Sequence, residues 1–327
     1  MLLDPYRRKI NYLRISVTDR CNLRCRYCMP EEGISLTPHG EILTYEEILR
    51  IVRVFGCEGI SKIRLTGGEP LIRKGIVDFI SRLSQVETVK DLSLTTNGIL
   101  LKDLARDLKD AGLKRINISL DSLRRERFHQ ITRRDDFERV WGGIEEAISL
   151  ELFPIKINMV AIKGVNDDEI ESFARLTLHL PLTVRYIEYM PSGNGDSWKE
   201  TDLLTIPQIQ HLLENLGPLI PLSPDRWDGP ARRFRIDGSI GEIGFIGAIS
   251  SHFCSDCNRL RLTPDGKIRT CLFSDQEIDL KEIMRKGGSD DDLKERLLTA
   301  LEAKPERHHI NSRQFKKCQR NMSAIGG

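Results

Sequence analysis

Strand-like and helix-like segments alternate six times over the first two-thirds of this chain, and that rhythm leaves few folds open. Strand patterns fall at Leu13–Val17, Lys62–Thr66, Asp91–Thr95, Arg115–Leu120, Ile155–Ile162 and Thr183–Met190. Helical patterns lie between them at Tyr45–Phe55, Ile76–Leu83, Leu101–Ala111, Phe137–Leu150 and Glu169–Leu178. Six βα repeats require parallel strands joined by crossover helices. The expectation is an α/β protein with a partial (βα)6, TIM-like barrel over residues 1–216. After residue 216 the sequence turns Pro- and Gly-rich. Short β-like runs appear at Arg233–Ile236, Glu242–Ala248 and Arg259–Thr263, followed by two polar helical stretches. Residues 217–327 therefore read as a C-terminal extension packed on the barrel.

Polar residues gather where the strands end: Thr66-Gly67-Gly68-Glu69-Pro70, Thr95-Thr96-Asn97-Gly98, Ser119-Leu120-Asp121 and Glu188-Tyr189-Met190-Pro191. In parallel α/β folds the carboxyl ends of the strands bind ligands, so the site belongs there. Neither a G-x-G-x-x-G fingerprint nor a Walker A loop is present.

Eight cysteines need a compartment before they can be interpreted. Met1 to Lys9 turns charged after three residues, so it offers no apolar core for a signal peptide, and no apolar run approaches the ~18 residues of a membrane span. A cytoplasmic chain without membrane partners is expected, and there clustered thiols hold metal or do redox chemistry. Fifty basic and 48 acidic residues leave a net charge of +2, too little for a general nucleic-acid field. The pairs Arg124-Arg125, Arg133-Arg134 and Arg232-Arg233 read as solvated faces. Cys57 and Cys318 stand apart and read as inert thiols.

The other six cysteines form two triplets. Cys21-x3-Cys25-x2-Cys28 follows the first strand, and three thiolates there hold three irons of a cubane while leaving the fourth open. Spacing alone also admits a zinc site completed by His39, or three unrelated cysteines. With Tyr27 just before the last cysteine, the loop resembles that of the radical S-adenosylmethionine superfamily. The resemblance implies that the cofactor's amino and carboxylate groups chelate the open iron. One-electron reduction then yields methionine and a 5'-deoxyadenosyl radical. The Gly67-Gly68-Glu69-Pro70 run resembles the superfamily's methionine-binding strand, its glycines letting backbone approach a ligand closely. Carried over residue by residue, Tyr27, Gly68, Ser119 and Met190 would line the S-adenosylmethionine site.

Cys254-x2-Cys257-x13-Cys271 supplies three more thiolates, and by itself it suits a zinc ion completed by His252 as well as a second 4Fe-4S cluster. Arg259 and Arg261 beside it favour a site that meets a polyanion, because guanidinium grips phosphate in bidentate fashion. Arg14, Arg64, Lys156 and Arg185 fall on barrel strands, where an unpaired cation is costly. Their partner is either a carboxylate such as Glu69 or Glu188, or a bound triphosphate.

The whole pattern closely resembles the GTP 3',8-cyclase family of molybdenum-cofactor biosynthesis, over nearly the full chain. That resemblance implies two 4Fe-4S clusters and GTP contacts at Arg14, Arg64, Thr95, Lys156, Arg185, Arg259, Leu260 and Arg261. It implies abstraction of the ribose H3' atom and closure onto guanine C8, with the product passed to cyclic pyranopterin monophosphate synthase. A low-potential electron donor is needed, and a homodimer is one arrangement open to the chain. Another auxiliary-cluster radical enzyme, such as a peptide-modifying one, is the alternative. A zinc-stabilised nucleic-acid-binding protein is disfavoured by the balanced charge. In this family the closing Gly326-Gly327 enters the active site, so both glycines are expected to take part in catalysis.

Overall fold

The computed structural model describes residues 1–191, 199–223, 229–308, 310 and 318–326. Twelve strands among them form one sheet: β1 Tyr12–Ser16, β2 Lys62–Thr66, β3 Asp91–Thr96, β4 Arg115–Ser119, β5 Ile155–Ala161, β6 Leu182–Glu188, β7 Leu219–Pro221, β8 Arg232–Ile236, β9 Glu242–Ile246, β10 Arg259–Leu262, β11 Lys267–Arg269 and β12 Ile278–Asp279. Helices α1 Tyr45–Glu58, α2 Ile76–Ser84, α3 Leu101–Asp110, α4 Arg125–Thr132, α5 Phe137–Ser149 and α6 Ile170–His179 occupy the crossovers. Beyond them come α7 Ile206–Leu212, α8 Lys281–Arg285, α9 Asp290–Glu302 and the short α10 Met322–Ile325. None of the described helices is long and apolar enough to cross a membrane.

Strand alternation explains how the two faces divide. Leu13 and Ile15, Ile63 and Leu65, Leu92 and Leu94, and Ile116 and Ile118 join the helices in one apolar core. The residues between them are polar: Arg14, Arg64, Ser93, Thr95, Asn117 and Ser119. Parallel strands buried on both faces are usually apolar throughout. Here residues of β1 to β6, β9 and β10 all line a single cavity, so the polar positions on this face border a site and not a packed layer.

The strands run in the order β12-β11-β10-β1-β2-β3-β4-β5-β6-β9-β8-β7. The six βα strands are parallel and neighbour one another in sequence order, as the repeats require. The extension does not form a separate layer on the barrel. Its β9 pairs in parallel with β6, and its β10 pairs in parallel with β1. Each edge is then finished by antiparallel strands. A bare parallel edge exposes unpaired amides and carbonyls, and these pairings satisfy them.

The helix α4 is absent from the sequence expectation because only Phe128, Ile131 and Thr132 of its eight residues are buried. Arg124, just before it, and Arg125, its first residue, are bound to Asp168 and Asp135.

Candidate functional site

The first cysteine loop leaves β1 and is clamped from two sides by backbone. The amides of Gly68 and Glu69 donate to the carbonyls of Thr18 and Arg20, each at 2.7 Å. On the other side Arg24 and Arg26 donate to Thr132 and Ile131 at the end of α4. Arg133, expected on a solvated face, instead directs its guanidinium to the carbonyls of Arg24 and Met29. The reason for the glycines also differs from expectation. A Cβ on Gly68 would stand 2.2 Å from the Arg20 carbonyl oxygen, and one on Gly67 would stand 2.6 Å from that of Thr18. Close approach is thus demanded by the cysteine loop itself.

Burial and the neighbouring thiols raise Cys25 well above the ordinary thiol range, and burial together with Glu69 pushes Cys21 up to about 11. Thiols in such a place become thiolates when a metal supplies the positive charge. His39 is exposed and does not line the cavity, which removes the zinc site it was to complete. Among the described residues no group of three or more His, Cys, Asp or Glu side chains is arranged to hold a metal ion. The donor set is three thiols, the set that iron–sulfur ligation uses. Tyr27 donates to the Asp121 carboxylate at 2.6 Å, and the Val160 amide donates to its other oxygen at 2.8 Å. Burial pushes Asp121 up to about 6.

Cys254 and Cys257 lie on a turn before β10, and Cys271 follows β11. Two cations absent from the sequence reading hold this corner together. Arg8 donates to the carbonyls of Cys254, Glu306 and Pro305 at 2.7–2.8 Å and is paired with Asp4. The Lys304 ammonium contacts the carbonyls of Thr270 and Arg259 at 2.8 and 3.0 Å and the Cys257 sulfur at 3.6 Å. Burial acts to raise Cys257, but Arg259 and Lys304 outweigh it and bring the thiol down to about 7. Neither cation lies near the cysteines in sequence, so only the fold reveals them.

Between the triplets runs a row of arginines. Arg14 on β1 has Arg64 of β2 on one side and Arg261 of β10 on the other. Arg185 of β6 borders the same cavity beside Asn158. All four are at least nine-tenths buried. Burial and then Arg259 pull Arg261 down to about 10, and burial lowers Arg64 too. Glu69 and Glu188 are not the partners of this row. The Glu69 carboxylate accepts from Thr96 and from the amides of Leu71 and Asn97. Glu188 accepts from Ser250 and the amides of Ile206, Ile249 and Ser250. Among the described residues, the buried hydroxyls Tyr12 Oη, Thr95 Oγ1, Thr270 Oγ1 and Ser323 Oγ on the cavity wall have no hydrogen-bond partner, and hydroxyls beside buried cations can donate to an anion.

The cavity wall gathers all six cysteines with Tyr27, Gly68, Ser119, Met190, Arg14, Arg64, Thr95, Arg185, Arg259 and Arg261. Three expected residues, Lys156, Leu260 and Gly326, are not part of its wall. Lys156 is one alternation step before Asn158 and lines a second cavity with Arg115, Thr183 and Glu242. The side chain of Leu260 points into the apolar core, because alternation turns it away from Arg259 and Arg261. Gly326 adopts φ 77°, and its carbonyl accepts from Arg261 at 2.7 Å. A Cβ there would stand 2.7 Å from the Thr66 methyl group. Gly327 lies outside the described residues.

The Radical SAM superfamily profile matches residues 15–177, and the Molybdenum Cofactor Synthesis C profile matches residues 182–310. The GTP 3',8-cyclase of Heliobacterium modesticaldum is 50% identical over 327 residues, covering 100% of both chains. That of Thermodesulfovibrio yellowstonii is 50% identical over 326 residues, covering 99% of each. Streptococcus suis SuiB, solved with S-adenosylmethionine bound, superposes with a TM-score of 0.61 at 15% identity. The match covers 97% of this chain and 77% of that one, a likeness of fold alone.

Proposed function

This chain belongs to the GTP 3',8-cyclase family of radical S-adenosylmethionine enzymes, and from that membership we propose how its cavity is used. It converts GTP to 3',8-cyclo-7,8-dihydro-GTP, an early step of molybdenum-cofactor biosynthesis, using S-adenosylmethionine and iron–sulfur chemistry. Cys21, Cys25 and Cys28 hold one 4Fe-4S cluster, and Cys254, Cys257 and Cys271 hold another. When bound, the first cluster and S-adenosylmethionine supply a 5'-deoxyadenosyl radical that takes a hydrogen atom from the ribose.

The residues of the chain position and shield. Tyr27, Gly68, Ser119 and Met190 wall the S-adenosylmethionine end. Arg14, Arg64, Arg185, Arg259 and Arg261 hold the phosphates, with Thr95 offering its free hydroxyl to the nucleotide. Lys156, on the second cavity, adds positive charge from outside the wall of the main one. Gly326, with Gly327 after it, narrows the space beside the ribose and keeps water out. An external donor supplies low-potential electrons, and the product passes to cyclic pyranopterin monophosphate synthase.

One observation carries this reading. A single cavity takes in both cysteine triplets and the arginine row between them, while Glu69 and Glu188 are engaged elsewhere. A polyphosphate suits that concentration of buried guanidinium groups better than a peptide does. Anaerobic protein should carry about four irons per triplet, and with reductant it should convert GTP to the cyclic nucleotide, read by mass spectrometry. Stoichiometric zinc without sulfide, or turnover of S-adenosylmethionine that GTP never affects, would overturn the proposal.

A further inference from the structure

Tyr12 enters none of the roles above, although it occupies the inner face of β1 one alternation step before Arg14. It is 1% exposed and lines the main cavity. Lys62 and Arg259 are its register neighbours on β2 and β10. The Lys62 ammonium lies 4.8 Å and the Arg64 guanidinium 5.6 Å from the centre of its ring, distances at which a cation is attracted to an aromatic face. Its hydroxyl, buried to the same degree, has no hydrogen-bond partner among the described residues.

A buried hydroxyl without a partner is costly, so its position needs a cause. The charged groups that act on it, Arg64, Arg14, Lys62 and Arg259, are all cations. Such side chains only donate hydrogen bonds. None of them can take the phenol's proton. Asp91, the nearby carboxylate, is bound to Arg115 and lies 4.0 Å from Lys62. A ligand can bring the acceptor that the described residues do not supply, and cations on several sides favour an anionic one. Burial raises the phenol and the four cations lower it, leaving it at about 8, which makes it a stronger donor than an ordinary tyrosine.

We infer that the Tyr12 hydroxyl donates a hydrogen bond to a phosphate oxygen of the bound nucleotide, and so helps the enzyme tell a nucleoside phosphate from the bare nucleoside. The inference rests on the GTP reading of this cavity and adds a neutral, directional contact to its arginines. Cations alone attract any anion of suitable charge, whereas a phenol on a stiff ring fixes where one oxygen sits.

The test is Tyr12→Phe, which keeps the ring and its contacts with Lys62 and Arg64. Anaerobic calorimetry on the cluster-loaded enzyme would measure GTP, guanosine and S-adenosylmethionine separately. The dissociation constant for GTP should rise about tenfold or more, the scale of one hydrogen bond to a charged group. Those for guanosine and S-adenosylmethionine should stay unchanged, which also reports an intact fold. Unchanged GTP affinity overturns the inference, and so does an equal loss for GTP and guanosine. If the unaltered enzyme fails to bind GTP, it is the functional reading that falls.

Discussion

Replacing Gly68 with Ala tests the claim that the cysteine loop is held by backbone packed against backbone. The added Cβ would stand 2.2 Å from the Arg20 carbonyl oxygen, 2.6 Å from its carbon and 2.8 Å from the Asp19 oxygen. No flexible side chain is available to yield. The chain must move apart there, straining the bonds from Gly68 and Glu69 to Thr18 and Arg20. Overpacking costs about 1–3 kcal/mol and a weakened backbone hydrogen bond about 1 kcal/mol, roughly 2–4 kcal/mol together. An unfolding entropy of about 2.1 cal/mol/K per residue, taken over 327 residues, converts this to a fall in Tm of about 3–6 °C. Calorimetry would read that fall, and iron analysis after anaerobic reconstitution should show the loss concentrated at the Cys21–Cys28 site. Gly40→Ala is the control, since a Cβ there meets nothing within 4 Å. A Gly68→Ala protein with the melting temperature and iron content of the parent would refute the clamp.

Other outcomes follow from the same geometry. Arg261→Ala should weaken GTP binding by about 1.5–3 kcal/mol in anaerobic calorimetry while S-adenosylmethionine affinity hardly moves; equal loss of both would mean that Arg261 maintains the fold. Cys25→Ala should abolish S-adenosylmethionine cleavage, whereas Cys257→Ala should keep some uncoupled cleavage and lose cyclisation, both followed by chromatography. Burial pushes Glu69 from 4.5 up to about 7, so the folded chain keeps a proton that the unfolded chain has released. The stabilisation is complete below about pH 4.5 and is lost as pH rises through 7, roughly 3 kcal/mol in all. Denaturant titrations across that window should show a flatter pH profile for Glu69→Gln than for the parent. Replacing Gly326 and Gly327 with Ala should leave cluster content nearly unchanged and stop product formation, because a Cβ at Gly326 collides with Thr66 and displaces the tail; normal turnover would remove the tail from the active site.

The parallel strands were legible in the sequence because one face meets the helices and the other borders the cavity: Arg14 between Leu13 and Ile15 announces a strand with two different faces. The cysteine triplets were legible because each is local. Long-range partners were not. Arg8 and Lys304 reach the second triplet only through folding, and Arg133 reads as surface charge until α4 brings it under the cysteine loop. Lys156 sits on the expected face but at a depth that periodicity does not specify. Leu260 followed its neighbours into the expected site, although alternation assigns it to the core. The engagement of Glu188 by the amides of Ile249 and Ser250 spans more than sixty positions, so only the fold could remove Glu188 as a partner for the arginines.

The stitching of the extension into both sheet edges governs the order in which this protein can be born. Asn258, just before β10, bonds to Asn11 across 247 positions, and β10 then lies along β1. A ribosome adding about 5–20 residues per second leaves β1 as an open edge for roughly ten to fifty seconds. During that interval the nascent barrel shows neighbouring chains a parallel strand edge, the kind of surface on which chains aggregate. The second cysteine triplet emerges just as that edge is sealed. A nascent chain that stalls before residue 262 therefore exposes its β1 edge and lacks Cys271, so edge closure and completion of the second cysteine triplet come together.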